Sequence, residues 1–240
     1  MINAFYKKYQ KHFDVSENNF AHFVMWSCGG ICIGFVIGLV GIAFHLALEW
    51  ATEFRTAHPM LLWLLPFGGL AIVLAYRLAG QEKDRGTNFI LVAVRANEAV
   101  TLRTAPLIFF STVVTHLLGG SAGREGAALQ LGGSIASSFG RIFQLNEREG
   151  RIMTMCGMAA GFAALFGTPL TSVIFAMEVI TVGVMHYSAI VPCIISALVA
   201  AGLSQAVGIA PTTFSIAHIP ATVGLENCFR AAVLGVLCAV

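Results

Sequence analysis

Residues 21–50 are thirty consecutive positions in which Glu49 is the one fully charged side chain. A helix that long exceeds the roughly 20 residues needed to cross a bilayer core, so it is expected to tilt. A second run, "PMLLWLLPFGGLAIVLAYRLAG" at residues 59–80, carries Arg77 alone. Soluble cores do not accommodate two such segments, and the chain is expected to be an all-α, polytopic membrane protein. Composition agrees: 57% of residues are hydrophobic and 11% charged, against roughly 25% charged in soluble domains. A formal net charge of +2 gives no reason to expect nucleic acid. The cations serve topology instead. Lys7, Lys8 and Lys11 flank the first span; Arg77, Lys83 and Arg85 flank the second. The positive-inside bias then places the N-terminus and the Lys83 loop in the cytoplasm. Residues 1–20 read as an amphipathic surface helix, with Phe5, Tyr6, Tyr9 and Phe13 opposed to the lysines.

Beyond residue 86 the pattern changes. Residues 87–100 are apolar but too short to cross, and they hold Arg95, Asn97 and Glu98. Residues 105–118 form another short apolar segment, followed by "GGSAGREGAALQLGGSIASSFG" and a helix expected over about 125–143. Short, glycine-interrupted apolar segments are the signature of broken helices meeting near the bilayer midplane. Irregular backbone survives at that depth only when buried in protein or lining a cavity. Residues 141–151 are expected to be a basic cytoplasmic loop, and Thr168 is expected to cap a helix with Pro169 at its first position. A further apolar segment follows, and residues 223–240 open a last one that stops in mid-run at "GVLCAV". That ending reads as a truncated product or one half of a larger assembly. Trp26, Trp50 and Trp63 suit interfacial anchors. The six cysteines are scattered through apolar segments and read as small buried hydrophobes, with no metal set and no cofactor site.

Within "GSAGREGA", Gly119, Gly120 and Gly123 free the backbone for an irregular turn. Gly126, Ala127 and Ala128 keep bulk away from the first turn of the next helix. A helix N-terminus exposes unpaired N–H groups and partial positive charge, a natural anion site. Glu125 can occupy that site as an anion and leave it when protonated, so one carboxyl can be gate and proton carrier. Arg124 adds positive potential. The plainer alternative is that Arg124 and Glu125 pair and cap a helix. No G-x-x-x-x-G-K-[ST] pattern supports a phosphate loop of a soluble enzyme.

"GREGAALQLGGSIAS" resembles the corresponding region of the CLC family of anion channels and anion/proton antiporters. "RGTNFI" and "GMAAGFAALFGTPLTSVIFAMEVI" agree in order and spacing. The resemblance implies a fold of two inverted halves with one anion pathway per subunit, usually in a homodimer. Of that fold this chain matches the first half over residues 21–222 and the start of the second over 223–240. The resemblance makes Glu125 the gating and proton-exchange glutamate. It places Gly86, Thr87 and Asn88 at the filter and turns the amides of Gly126 and Ala127 toward the ion, beside Gly123 and Arg124. Chloride-type members have "GSGIP" where this chain has "GTNFI", and a Pro where Ala127 stands. "GTN", "GREGAALQLGG" and "FGTPL" resemble the bacterial fluoride-exporting branch, CLC-F, whose members have Asn or Met at the Thr87 position.

The function implied is proton-coupled transport of fluoride, or of chloride, across the bacterial inner membrane. A passive chloride channel and a truncated, non-transporting partner subunit are the alternatives. An enzyme is disfavoured, since no Ser/His/Asp set or metal triad converges. Val179 stands where many chloride/proton antiporters carry an inner proton glutamate. Its neighbour Glu178 is either an acid bonded to a nearby helix or structural loop, or a proton relay. His116 and His186 read as structural.

Overall fold

A computed structural model of the chain describes residues 19–81, 86, 90–92, 100–180, 186–209 and 224–239. The described residues are helical, joined by turns and short irregular segments. α1 (Asn19–Ala57) leads into a 3-10 turn (Pro59–Leu64) that continues as α2 (Leu65–Leu78). α3 (Thr104–Leu117), α4 (Arg124–Ile142), α5 (Glu147–Phe166) and α6 (Pro169–Glu178) follow. α7 (Ile190–Ala206) and α8 (Leu225–Ala239) complete the order. The surface helix expected over 1–20 lies outside the described residues, apart from the start of α1.

Among the described residues, three helical segments are long and apolar enough to cross a membrane: Phe23–Ala57, Pro59–Leu78 and Tyr187–Ala206. α3 and α6 are apolar but short. At about 1.5 Å per residue, α3 rises about 21 Å, less than a bilayer core of about 30 Å. It is too short to span that core alone, as the segment lengths predict.

α4 and α5 form the centre. Residues 127–136 of α4 and 152–161 of α5 are buried without interruption, although they include Gln130, Ser134 and Thr154. α1, α3 and α7 pack around them, and α2 lies outside against α3. The outer helices turn large apolar side chains outward, among them Phe35, Leu39, Phe67, Leu70 and Leu198. Such a surface is stable only against an apolar solvent, so the fold is that of a membrane protein.

Small residues set the close approaches. Gly30, Gly34 and Gly38 recur every fourth position on the face of α1 that meets α7. A Cβ added at Gly34 would lie 2.5 Å from the Ser196 carbonyl oxygen, and one at Gly30 would lie 2.9 Å from that of Pro192. This is small-xxx-small packing, in which backbones replace side chains at the contact. Ser196 Oγ donates to the Cys156 carbonyl at 3.0 Å, and Ser204 Oγ to that of Ala164 at 2.7 Å. These bonds tie α7 to α5 where water cannot compete. The sulfurs of Cys156 and Cys193 approach to 3.6 Å at the same contact.

Four expectations need correction. Of the six cysteines expected to be buried, Cys156 and Cys193 are, but Cys28, Cys32, Cys228 and Cys238 are exposed. The stretch 141–151 is not one loop: α5 begins at Glu147, because Asn146 accepts from Glu149 N while Glu149 Oε2 accepts from Asn146 N, both at 3.0 Å. Asn146→Ala is expected to destabilise the protein by about 1 kcal/mol, read as a lowered melting temperature in detergent. Thr168 does precede α6, but its side chain makes no capping bond; its carbonyl accepts from Ser172 N and Oγ instead. Trp26 is 6% exposed, because it sits on the packed face of α1. Trp50 and Trp63 are exposed, as anchors would be.

Candidate anion site at the α4 N-terminus

α3 ends at a left-handed Gly119, φ 80°, whose N–H bonds the His116 carbonyl while Gly120 N–H bonds that of Thr115. A Cβ at Gly119 would press on Leu62 Cδ1 at 3.0 Å and Arg55 Cδ at 3.3 Å, so glycine serves both the backbone angle and the space. The chain then runs extended through Gly123, φ −75° and ψ 137°, and enters α4 at Arg124.

No side chain caps this entry. The first N–H groups of a helix have no partner within it, and they carry its positive end. Arg124, Glu125, Gly126 and Ala127 supply them here. Glu125 occupies the second helical position, with its carboxylate folded back over the entry: Oε2 lies 3.1 Å from where a Cβ on Gly123 would stand. Any other residue at 123 would crowd that oxygen. Glu125 is exposed, Arg124 and Gly126 are half-buried, and Ala127 is buried. Among the described residues no ion pair joins Arg124 to Glu125, so pairing does not account for the two charges.

Gly86, the residue expected at a filter, lies beside the same helix. Gly86 is exposed and left-handed, φ 67°, and a Cβ there would lie 4.0 Å from Gln130 Nε2 in the second turn of α4. Segments separated by nearly forty residues in the chain thus converge on one helix end. Thr87 and Asn88 lie outside the described residues. Glu178 ends α6, exposed, with no ion pair among the described residues. The neighbouring-helix bond considered for it is not seen. His116 Nδ1 bonds the Thr112 carbonyl at 2.9 Å, a structural role. No group of three or more His, Cys, Asp or Glu able to hold a metal occurs among the described residues.

Sequence reasoning passed over Gln130. A long polar side chain inside a Gly- and Ala-rich buried helix was the available signal.

A family model described as voltage gated chloride channel matches residues 68–240. A chloride/fluoride channel protein of Pseudomonas syringae pv. tomato is 40% identical over 188 residues, covering 78% of this chain and 42% of that protein. An H(+)/Cl(−) exchange transporter ClcA of Cronobacter sakazakii is 34% identical over 160 residues, covering 60% of this chain and 34% of that one. Among solved structures, a CLC-type fluoride/proton antiporter superposes with a TM-score of 0.81 at 30% identity, over 92% of this chain and 56% of that one. A slow cyanobacterial Cl−/H+ antiporter, 21% identical with a TM-score of 0.66, shares the fold. This chain spans less than half the length of these curated relatives.

Proposed function

The chain belongs to the voltage gated chloride channel family, CLC, and on that premise we propose that it supplies one half of an anion pathway that exchanges fluoride for protons. Residues 21–222 are the first half of the inverted repeat in this reading, and 223–240 begin the second. The protein resides in the bacterial inner membrane with its N-terminus cytoplasmic, and full-length subunits pair as a homodimer.

The observation that carries the reading is the Glu125 carboxylate folded over an uncapped helix entry. Carboxylate and transported anion compete for one set of N–H donors. When the carboxylate leaves, an anion takes the amides of Gly126 and Ala127. When Glu125 accepts a proton from one side, its side chain loses the attraction of the helix end and swings clear. It gives that proton to water on the other side, and the ionised carboxylate then returns to the helix end and displaces the anion. Arg124 beside it raises the local anion concentration, as unpaired cations at a pathway mouth do.

Fluoride is favoured over chloride on two grounds. The P. syringae relative and the 0.81 TM-score neighbour are described by names that include fluoride. A small, strongly hydrated ion also needs dense donors to replace its water, which Thr87, the Asn88 amide and the α4 entry would supply.

Liposomes holding the full-length protein, an outward fluoride gradient and a trapped pH dye test the reading. Fluoride efflux with stoichiometric proton uptake supports it. Fluoride flux whose reversal potential ignores the pH gradient would make the protein a passive channel instead. Chloride flux without fluoride flux would reject the selectivity.

A further inference from the structure

We propose that Gln130 is a second anion-contacting residue, its side-chain amide lining the pathway beside the Gly86 turn, inward of Glu125; the assignment rests on the transport reading above. At about 1.5 Å per residue, five positions place Gln130 about 7.5 Å along α4 from Glu125. It is 6% exposed.

The buried serines of the same helix, Ser134 and Ser138, satisfy themselves locally. Ser134 Oγ donates to the Leu131 carbonyl at 3.2 Å, and Ser138 Oγ to that of Ser134 at 2.9 Å. Short hydroxyls reach their own helix backbone; the longer amide of Gln130 extends past it. Among the described residues it forms no hydrogen bond, and its amide atoms are not among the fully enclosed unsatisfied ones, so the amide end stays open at the Gly86 turn. Its Nε2 faces Gly86, 4.0 Å from the position of an added Cβ, and Gly86 is exposed. The amide therefore ends at a turn that a small ion can reach. Rotating the amide exchanges its N–H and carbonyl ends without taking either out of that space.

The chemistry suits transit. A neutral N–H donor replaces part of an anion's hydration without the deep well a Lys or Arg would make, and conduction requires that an ion leave as readily as it enters. The ligand class is a small halide. The rival role is structural, with the amide holding the Gly86 turn.

Three measurements on the full-length protein separate these roles: fluoride flux against concentration in liposomes, melting temperature in detergent, and the side-chain 15N signal of Gln130 during sodium fluoride titration. In Gln130→Met, which keeps the length and removes the donor, the half-saturating fluoride concentration is expected to rise about tenfold. The proton-to-anion ratio and melting temperature are expected to stay near wild type. Gln130→Asn, a shorter donor, is expected to recover part of the loss. The wild-type Gln130 amide signal should shift with fluoride and saturate.

A folded Gln130→Met with unchanged half-saturation, or an amide signal that fluoride leaves unmoved, overturns the assignment while the transport reading stands. A saturating shift in a protein that carries no fluoride flux instead overturns transport and leaves the binding site. Should Gln130→Met not fold, the wild-type titration decides alone.

Discussion

Glu125→Gln protein in liposomes is expected to move no protons against a fluoride gradient. Gln keeps the shape of the side chain and its place at the second position of α4, but it has no proton to exchange at neutral pH and no charge with which to displace an anion. The decisive number is the dependence of reversal potential on pH. A one-for-one exchanger moves two charges per cycle, so each pH unit should shift the wild-type potential by about 30 mV. In the variant that slope should fall to zero, with any remaining flux tracking the fluoride gradient alone. Retention of the wild-type slope would remove Glu125 from the proton path and with it the mechanism. Gly123→Ala makes a smaller perturbation at the same place, since its methyl group would meet Glu125 Oε2 at 3.1 Å. It should weaken the closed position of the carboxylate and raise uncoupled anion leak before it affects folding.

The largest expected effect on stability is at Gly157. A Cβ there would lie 2.3 Å from both the Gly132 carbonyl oxygen and Ala136 Cβ. These are backbone and near-backbone atoms of α4, so no side-chain rotation relieves the clash and the two central helices must separate. Gly161 faces the Ala128 carbonyl oxygen in the same way, at 2.7 Å. Gly157→Val should therefore destabilise by about 3 kcal/mol or more, lowering the melting temperature by about 5–10 °C or preventing recovery of monodisperse protein. Gly202→Ala is the control. That helical glycine has no atom within 4 Å of an added Cβ, and alanine in its place should stabilise by up to about 1 kcal/mol. Comparable melting temperatures for the two variants would mean that α4 and α5 do not cross as closely as described.

Which parts of this were legible in the sequence follows from the range of the forces involved. Apolar run lengths report on the bilayer, so the two long spans at residues 21–50 and 59–80 were visible, and so was the short α3. The "GREG" turn was legible as a helix entry because glycines and an acid at a first turn have a local meaning. The start of α5 was equally local, in the Asn146-x-x-Glu149 box, but the charges of residues 141–151 masked it as loop. Other features depend on which helix meets which. Trp26 has the composition of an anchor, but the packing of α1 buries it. Cys156 and Cys193 are distant in sequence and meet only through α5 and α7. Gln130 carries no motif of its own; its interest comes from the glycine that the fold sets opposite it.

The interlocked glycines of α4 and α5 bear on how alternating access could be achieved. Helices whose backbones touch cannot rock against each other without opening voids along their whole crossing. A protein built on such a crossing has a rigid frame, and its moving part must be small. In the proposed transport cycle, opening toward one compartment and then the other would fall to the rotamers of a single carboxyl, with the scaffold nearly still.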